Sequence, residues 1–65
     1  MEIEEFEENW KRTVEMAGLP IVVQSGDASI KADDYKIAES KTWVQLKYRG
    51  EFIGGLELEK IMRIV

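Results

Sequence analysis

The tripeptide Gly18-Leu19-Pro20 divides the chain into two stretches of different periodicity, and that division limits the fold more than any other feature. Before it, Ile3, Phe6, Trp10, Val14 and Ala17 recur at spacings of three and four. This single apolar stripe predicts an amphipathic helix over residues 2–17. Its end is legible too. Gly18 can enter the left-handed region, Leu19 can fold back towards Val14, and Pro20 cannot continue a helix.

After Pro20 the pattern is that of strands. Ile21-Val22-Val23 is a β-branched run closed by the turn composition Ser25-Gly26-Asp27. Tyr35 and Ile37 alternate with Lys36 after a break at Asp33-Asp34. Residues 42–48 alternate strictly, with Val44, Leu46 and Tyr48 on one face and Trp43, Gln45 and Lys47 on the other. Arg49-Gly50 reverses the chain into Glu51-Phe52-Ile53. Because arginine tolerates positive φ poorly, a type I turn with glycine as the bulge residue is expected there. Gly54-Gly55 within a strand pattern predicts a bulge or sharp bend. Residues 56–65 carry two signals. Leu58, Ile61, Met62 and Val65 fit helical spacing, yet Ile61–Val65 is rich in β-branched residues and lacks a preceding helix cap, which favours a strand. The expectation is one small α+β domain over residues 1–65. Its N-terminal amphipathic helix packs on a curled four- to five-stranded antiparallel sheet, with a partly closed barrel as an open option.

At 65 residues, a chain buries only about 60% of its unfolded surface, so one thin core must carry the stability. There is no cysteine and no histidine. That removes disulfides, thiolate zinc sites, thiol nucleophiles and the commonest general base. No P-loop or Rossmann glycine pattern occurs, and catalysis by the remaining carboxylates, lysines and tyrosines is not expected. Neither a metal nor a small-molecule cofactor is expected. The acidic start, MEIEEFEENW, is unlike a targeting peptide, and no apolar run approaches membrane-spanning length, so a cytoplasmic, membrane-free setting is expected.

The net charge of −4 is confined to the first element. Residues 1–18 hold six glutamates against Lys11 and Arg12, whereas residues 19–65 hold seven acids and seven bases. Acid in the first turn complements the helix dipole, and Glu7–Lys11 and Glu8–Arg12 are favourable i,i+4 pairs. The ordinary reading is a solvated helix face; the functional one is an acidic docking surface for a basic partner or a nucleic-acid mimic.

Two segments resemble known families. Val44-Gln45-Leu46-Lys47-Tyr48-Arg49-Gly50-Glu51, followed by Leu56-Glu57-Leu58-Glu59-Lys60-Ile61, resembles the first hairpin of the small chromatin proteins of thermophilic crenarchaea. Those are SH3-like barrels that bind the DNA minor groove. The match needs a one-residue insertion at Gly54-Gly55, and that family is basic with its helix after the strands, whereas this chain is acidic with its helix first. What the resemblance implies is a short, twisted hairpin. Gly50-Glu51-Phe52-Ile53-Gly54-Gly55 is similar to the hairpin near the end of glutaredoxins, without that family's redox cysteines.

Three functional classes follow. Asp33-Asp34, the carboxylate pair outside the helix, can share a proton or bind a hard cation, but adjacent aspartates between strands usually bond the local backbone. A protein-contact role rests on apolar groups on both sheet faces, only one of which a single helix can cover. Trp43, Lys47, Arg49 and Phe52 are the candidate contact residues, with the exposed edge near Ile61–Val65 and the glutamate-rich helix face as further surfaces. A regulator or inhibitor of the size mobile elements encode, meeting a protein partner or a second copy in a homodimer, fits this reading. The alternative is a nucleic-acid-binding small barrel in which Trp43 stacks a base while Lys36, Lys41, Lys47 and Arg49 neutralise phosphate. The third is a structural or designed domain with no ligand.

Overall fold

The computed structural model describes residues 1–26 and 28–65. Helix α1 spans Ile3–Ala17, and strands β1 Ile21–Ser25, β2 Ala28–Ala32, β3 Asp34–Ile37, β4 Trp43–Tyr48, β5 Glu51–Glu57 and β6 Ile61–Ile64 follow, with a 3-10 turn at Leu58–Lys60. The strands form two antiparallel three-stranded sheets, ordered β2-β1-β6 and β3-β4-β5. The count is therefore six described strands, not four or five. The difference lies at residues 28–32: only Ile30 and Ala32 of this segment turn inward, so its polar sequence hides a strand. The chain passes from β2 to β3 through Asp33, whose N–H donates to the Lys47 carbonyl at 2.9 Å. The sheets do not close into a barrel, because β5 pairs only with β4 and β6 only with β1 among the described residues.

One cluster of buried side chains fills the space between the sheets. The β2-β1-β6 sheet contributes Ile21, Val23, Ala32, Ile61 and Ile64; the other contributes Val44 and Leu46; the 3-10 turn adds Leu58. From α1, Phe6 and Trp10 complete it. Their rings meet Tyr35 of β3, with Phe6 edge-on at 5.0 Å between centroids and Trp10 at 4.6 Å. The helix thus reaches the core with its stripe and leaves its glutamates in water. Gly18 ends α1 at φ 77°, ψ −176°, a region essentially restricted to glycine, and its N–H donates to the Val14 carbonyl at 2.8 Å. Leu19 is exposed rather than folded back on Val14.

Two turn expectations change. Arg49 (φ 53°) and Gly50 (φ 81°) both have positive φ, and Tyr48 pairs directly with Glu51. This is a two-residue turn of the mirror-image kind, not a type I turn with a glycine bulge. Two contacts offset the cost at Arg49: its N–H donates to Asp33 Oδ2 at 3.0 Å, and its guanidinium lies 5.2 Å from the centre of the Tyr48 ring. The bulge is instead in β5. Leu46 pairs with Gly54 but Lys47 with Phe52, leaving Ile53 as the extra residue beside the double glycine. The expected turn at Ser25-Gly26 is present with Gly26 at φ 58°; Asp27 lies outside the described residues. At the C-terminus the β-branched signal holds for β6; of the residues at helical spacing only Leu58 lies in a 3-10 turn, ahead of the strand.

Candidate functional site

The outward face of β3-β4-β5 is set by the register. Cross-strand pairing places Asp34 and Lys36 of β3 beside Lys47 and Gln45 of β4, and Phe52, Gly55 and Glu57 of β5 beside Lys47, Gln45 and Trp43. Alternation sends Tyr35, Val44, Leu46 and Leu56 to the core on the other side. No helix lies over the outward face: α1 packs on β1, β6 and Tyr35. Trp43, Phe52 and Ile53 are therefore left 44%, 59% and 42% exposed.

The two aromatics stand at opposite ends of the face. Lys47, the partner of Phe52, is four positions along β4 from Trp43, which corresponds to about 13 Å. Between them the surface is low. A methyl group at Gly55 would lie 3.6 Å from Cε3 of Trp43, so the six-membered ring of the indole extends over the bare backbone of Gly55. Charges of both signs share this face: Asp34 is opposite Lys47, Lys36 stands two residues along β3 from Asp34, and Glu57 is opposite Trp43 at the other end. The outward face of the other sheet differs. It carries Gln24, Ser29, Lys31 and Arg63, with Arg63 Nε donating to Gln24 Oε1 at 2.8 Å.

Of the residues singled out from the sequence, Trp43, Lys47 and Phe52 share this face. Arg49 does not join them, because its guanidinium is stacked on Tyr48, which follows Val44 and Leu46 on the opposite side. Lys41, at φ 62°, sits in the loop before β4, outside the strands that carry Lys36 and Lys47. Asp34 bonds the local backbone, its Oδ1 accepting from the Tyr35 N–H at 2.8 Å, whereas Asp33 reaches sixteen residues along the chain to accept from the Arg49 N–H. Among the described residues no group of three or more acids is placed to hold a metal ion, and no helix is long and apolar enough to cross a membrane.

Burial, reinforced by the nearby Glu7 carboxylate that accepts its hydrogen bond at 3.2 Å, raises the Tyr35 phenol above its ordinary range. This contact links the exposed side of α1 to β3. Sequence reading missed Ile53 as part of the outward face and Glu57 as the partner of Trp43. Both follow from counting a two-residue turn and one extra residue in β5, a count that the expected type I turn obscured.

Comparison with protein-family models, curated proteins and solved structures finds no match to this chain.

Proposed function

We propose that this chain is a small, non-enzymatic binding protein that acts by protein contact through the outward face of β3-β4-β5. The observation that carries the reading is the exposure of Trp43 and Phe52 on one uncovered sheet face, framing the flat backbone of Gly55. Aromatic side chains bury large areas at little entropic cost and anchor protein interfaces. A buried-core role would have hidden them, as it hides Phe6 and Trp10. The balanced charges of Lys36, Lys47, Asp34 and Glu57 suit a protein surface of mixed polarity.

The same balance weighs against the nucleic-acid alternative. Phosphate binding needs an excess of cations around the stacking ring, and here Asp34 and Glu57 stand against Lys36 and Lys47 while Arg49 is turned away. Three strands of this length present a modest area, below the roughly 800 Å² per partner of a standard interface. The contact, with a foreign protein or a second copy, is accordingly a weak and reversible one in a cytoplasmic setting.

Sedimentation equilibrium of the pure chain tests this, alone and with short single- and double-stranded DNA and RNA. The expected result is no shift with nucleic acid, and any concentration-dependent self-association lost in Phe52→Lys. Co-sedimentation with nucleic acid that weakens steeply with salt, and is lost in Trp43→Ala, overturns the reading in favour of the alternative.

A further inference from the structure

The glutamate-rich start of α1 and Trp43 lie forty residues apart in the sequence and come together in one groove of about 620 Å³. Its walls are Met1–Glu4, the Lys41–Trp43 segment that enters β4, and the Glu57–Glu59 segment that leaves β5. Backbone hydrogen bonds hold these pieces together. The Leu58 N–H donates to the Thr42 carbonyl at 2.8 Å, and the Met1 amine donates to the Leu58 carbonyl at 2.7 Å. Leu58, 3% exposed, forms an apolar floor. The volume falls within the range of sites that take a side chain or a small organic group.

The lining is aromatic, apolar and acidic together. Glu2, Glu4, Glu57 and Glu59 meet Lys41 as the one lysine among the lining residues. Lys60 bridges Glu57 at 3.6 Å, and the positive end of the α1 dipole and the Met1 amine oppose Glu2 and Glu4, yet carboxylates remain in excess. Trp43, 44% exposed with part of its ring over Gly55, offers the remaining indole surface to this groove. An indole face beside carboxylates over an apolar floor is complementary to a cation on an aliphatic stem. The ring quadrupole attracts the charge, the floor takes the methylenes and the carboxylates accept its N–H groups.

We infer that this groove receives a lysine or arginine side chain from a basic, extended segment of a partner protein. The inference rests on the reading of the chain as a protein-contact module and names the chemistry of what it contacts; the groove adjoins the Trp43 end of the outward face, so one partner can engage both.

Fluorescence anisotropy of a labelled Gly-Arg-Gly-Lys-Gly-Arg-Gly peptide tests it, with a glutamine-substituted peptide as control. The exposed pair Glu4→Gln with Glu59→Gln removes two groove carboxylates without touching the core. It is expected to weaken binding about tenfold, the sum of two exposed charge contacts. The pair Glu15→Gln with Glu51→Gln makes the same change in net charge elsewhere and is expected to change binding less than twofold. Trp43→Leu is expected to weaken binding to the same degree as the groove pair. Equal losses in the two glutamate pairs would reduce the effect to overall acidity and overturn the inference. So would wild-type protein that ignores the peptide, or spermine competing as well as unlabelled peptide, which would assign the groove to free polyamines. Loss in Phe52→Lys with none in Glu4→Gln, Glu59→Gln would reject the groove and leave the outward-face reading standing.

Discussion

The two tryptophans offer an internal control on the whole functional reading, because they are chemically identical and differ in burial. Trp10 is 9% exposed and touches Phe6 and Tyr35, with ring centroids 5.9 and 4.6 Å away; Trp43 is 44% exposed and spreads over Gly55. For a side chain of about 250 Å², a difference of 35 percentage points is roughly 90 Å², or about 2 kcal/mol at ~25 cal/mol per Å². Two ring–ring contacts add about 0.5–1.5 kcal/mol each at Trp10, and truncation there also opens a cavity. Trp10→Ala is therefore expected to destabilise the chain by about 3–4 kcal/mol more than Trp43→Ala. A 65-residue domain has a total stability of only about 3–10 kcal/mol, so the first variant should be largely unfolded while the second keeps a cooperative transition. Urea denaturation followed by far-ultraviolet circular dichroism measures both, since far-ultraviolet dichroism follows the backbone, which both variants keep. Equal losses in the two variants would show that Trp43 is a core residue, and the case for the outward face as a contact surface would collapse with it.

Tyr35 predicts a pH dependence of defined sign. Its phenol is raised by burial and by Glu7, so the native state holds the proton more tightly than the unfolded chain; the associated stability is intact below the ordinary tyrosine value and is lost as pH rises through the raised one. Tyr35→Phe should flatten the alkaline fall in stability, read by denaturation midpoints from neutral to strongly alkaline pH, and an unchanged fall would exclude the mechanism. Arg49→Asn relieves about 1 kcal/mol of positive-φ strain and loses about 0.5 kcal/mol of contact with Tyr48, so a gain near 0.5 kcal/mol in denaturant stability is expected. Gly54→Ala should be stabilising by about 0.5 kcal/mol, because its methyl would meet Ile30 Cδ1 at an ordinary 3.7 Å and the unfolded chain loses freedom; Gly18→Ala, forced to a φ of 77°, should cost about 1–3 kcal/mol in the same assay. Deleting Ile53 removes the bulge yet leaves Phe52 opposite Lys47 and Gly54 opposite Leu46, so the deletion, like Ile53→Thr at this 42% exposed position, should preserve the folded amide spectrum by NMR.

The parts of the fold that could be read from the sequence are those whose cause is local. The helix stripe from Ile3 to Ala17, its stop at Gly18-Leu19-Pro20 and the two faces of residues 43–48 follow from spacing and from glycine and proline chemistry, and the structure has them. Strand β2 was hidden because its middle is Ser29, Ile30 and Lys31, and its pairing with β1 is non-local. The turn at Arg49-Gly50 was misread for a related reason. The two groups that make arginine tolerable there are the Asp33 carboxylate and the Tyr48 ring, and the Asp33 contact spans sixteen residues. The candidate site was half legible. Trp43, Lys47 and Phe52 share a face as alternation requires, but Arg49 is captured by Tyr48, and no sequence pattern brings Glu2 and Glu4 to Glu57 and Glu59.

A single residue links these outcomes. Side chains alternate with a period of two along a strand, so one inserted residue reverses the facing of everything after it. In β5, Phe52 stands outward opposite Lys47; were Ile53 a regular strand residue instead of a bulge, the same parity would turn Gly54 and Leu56 outward and Glu57 inward. With the bulge, Leu56 packs towards the core opposite Val44, and Gly54 turns to Ile30 where the two sheets approach. Gly55 passes beneath the Trp43 ring, and Glu57 arrives beside the indole. The same register shift that saves the core from a buried carboxylate also sets an acidic group next to an exposed aromatic. Bulges are common where a strand must re-aim a side chain. Here the re-aimed side chain, Glu57, is what turns an exposed tryptophan on a sheet into one wall of an acidic groove.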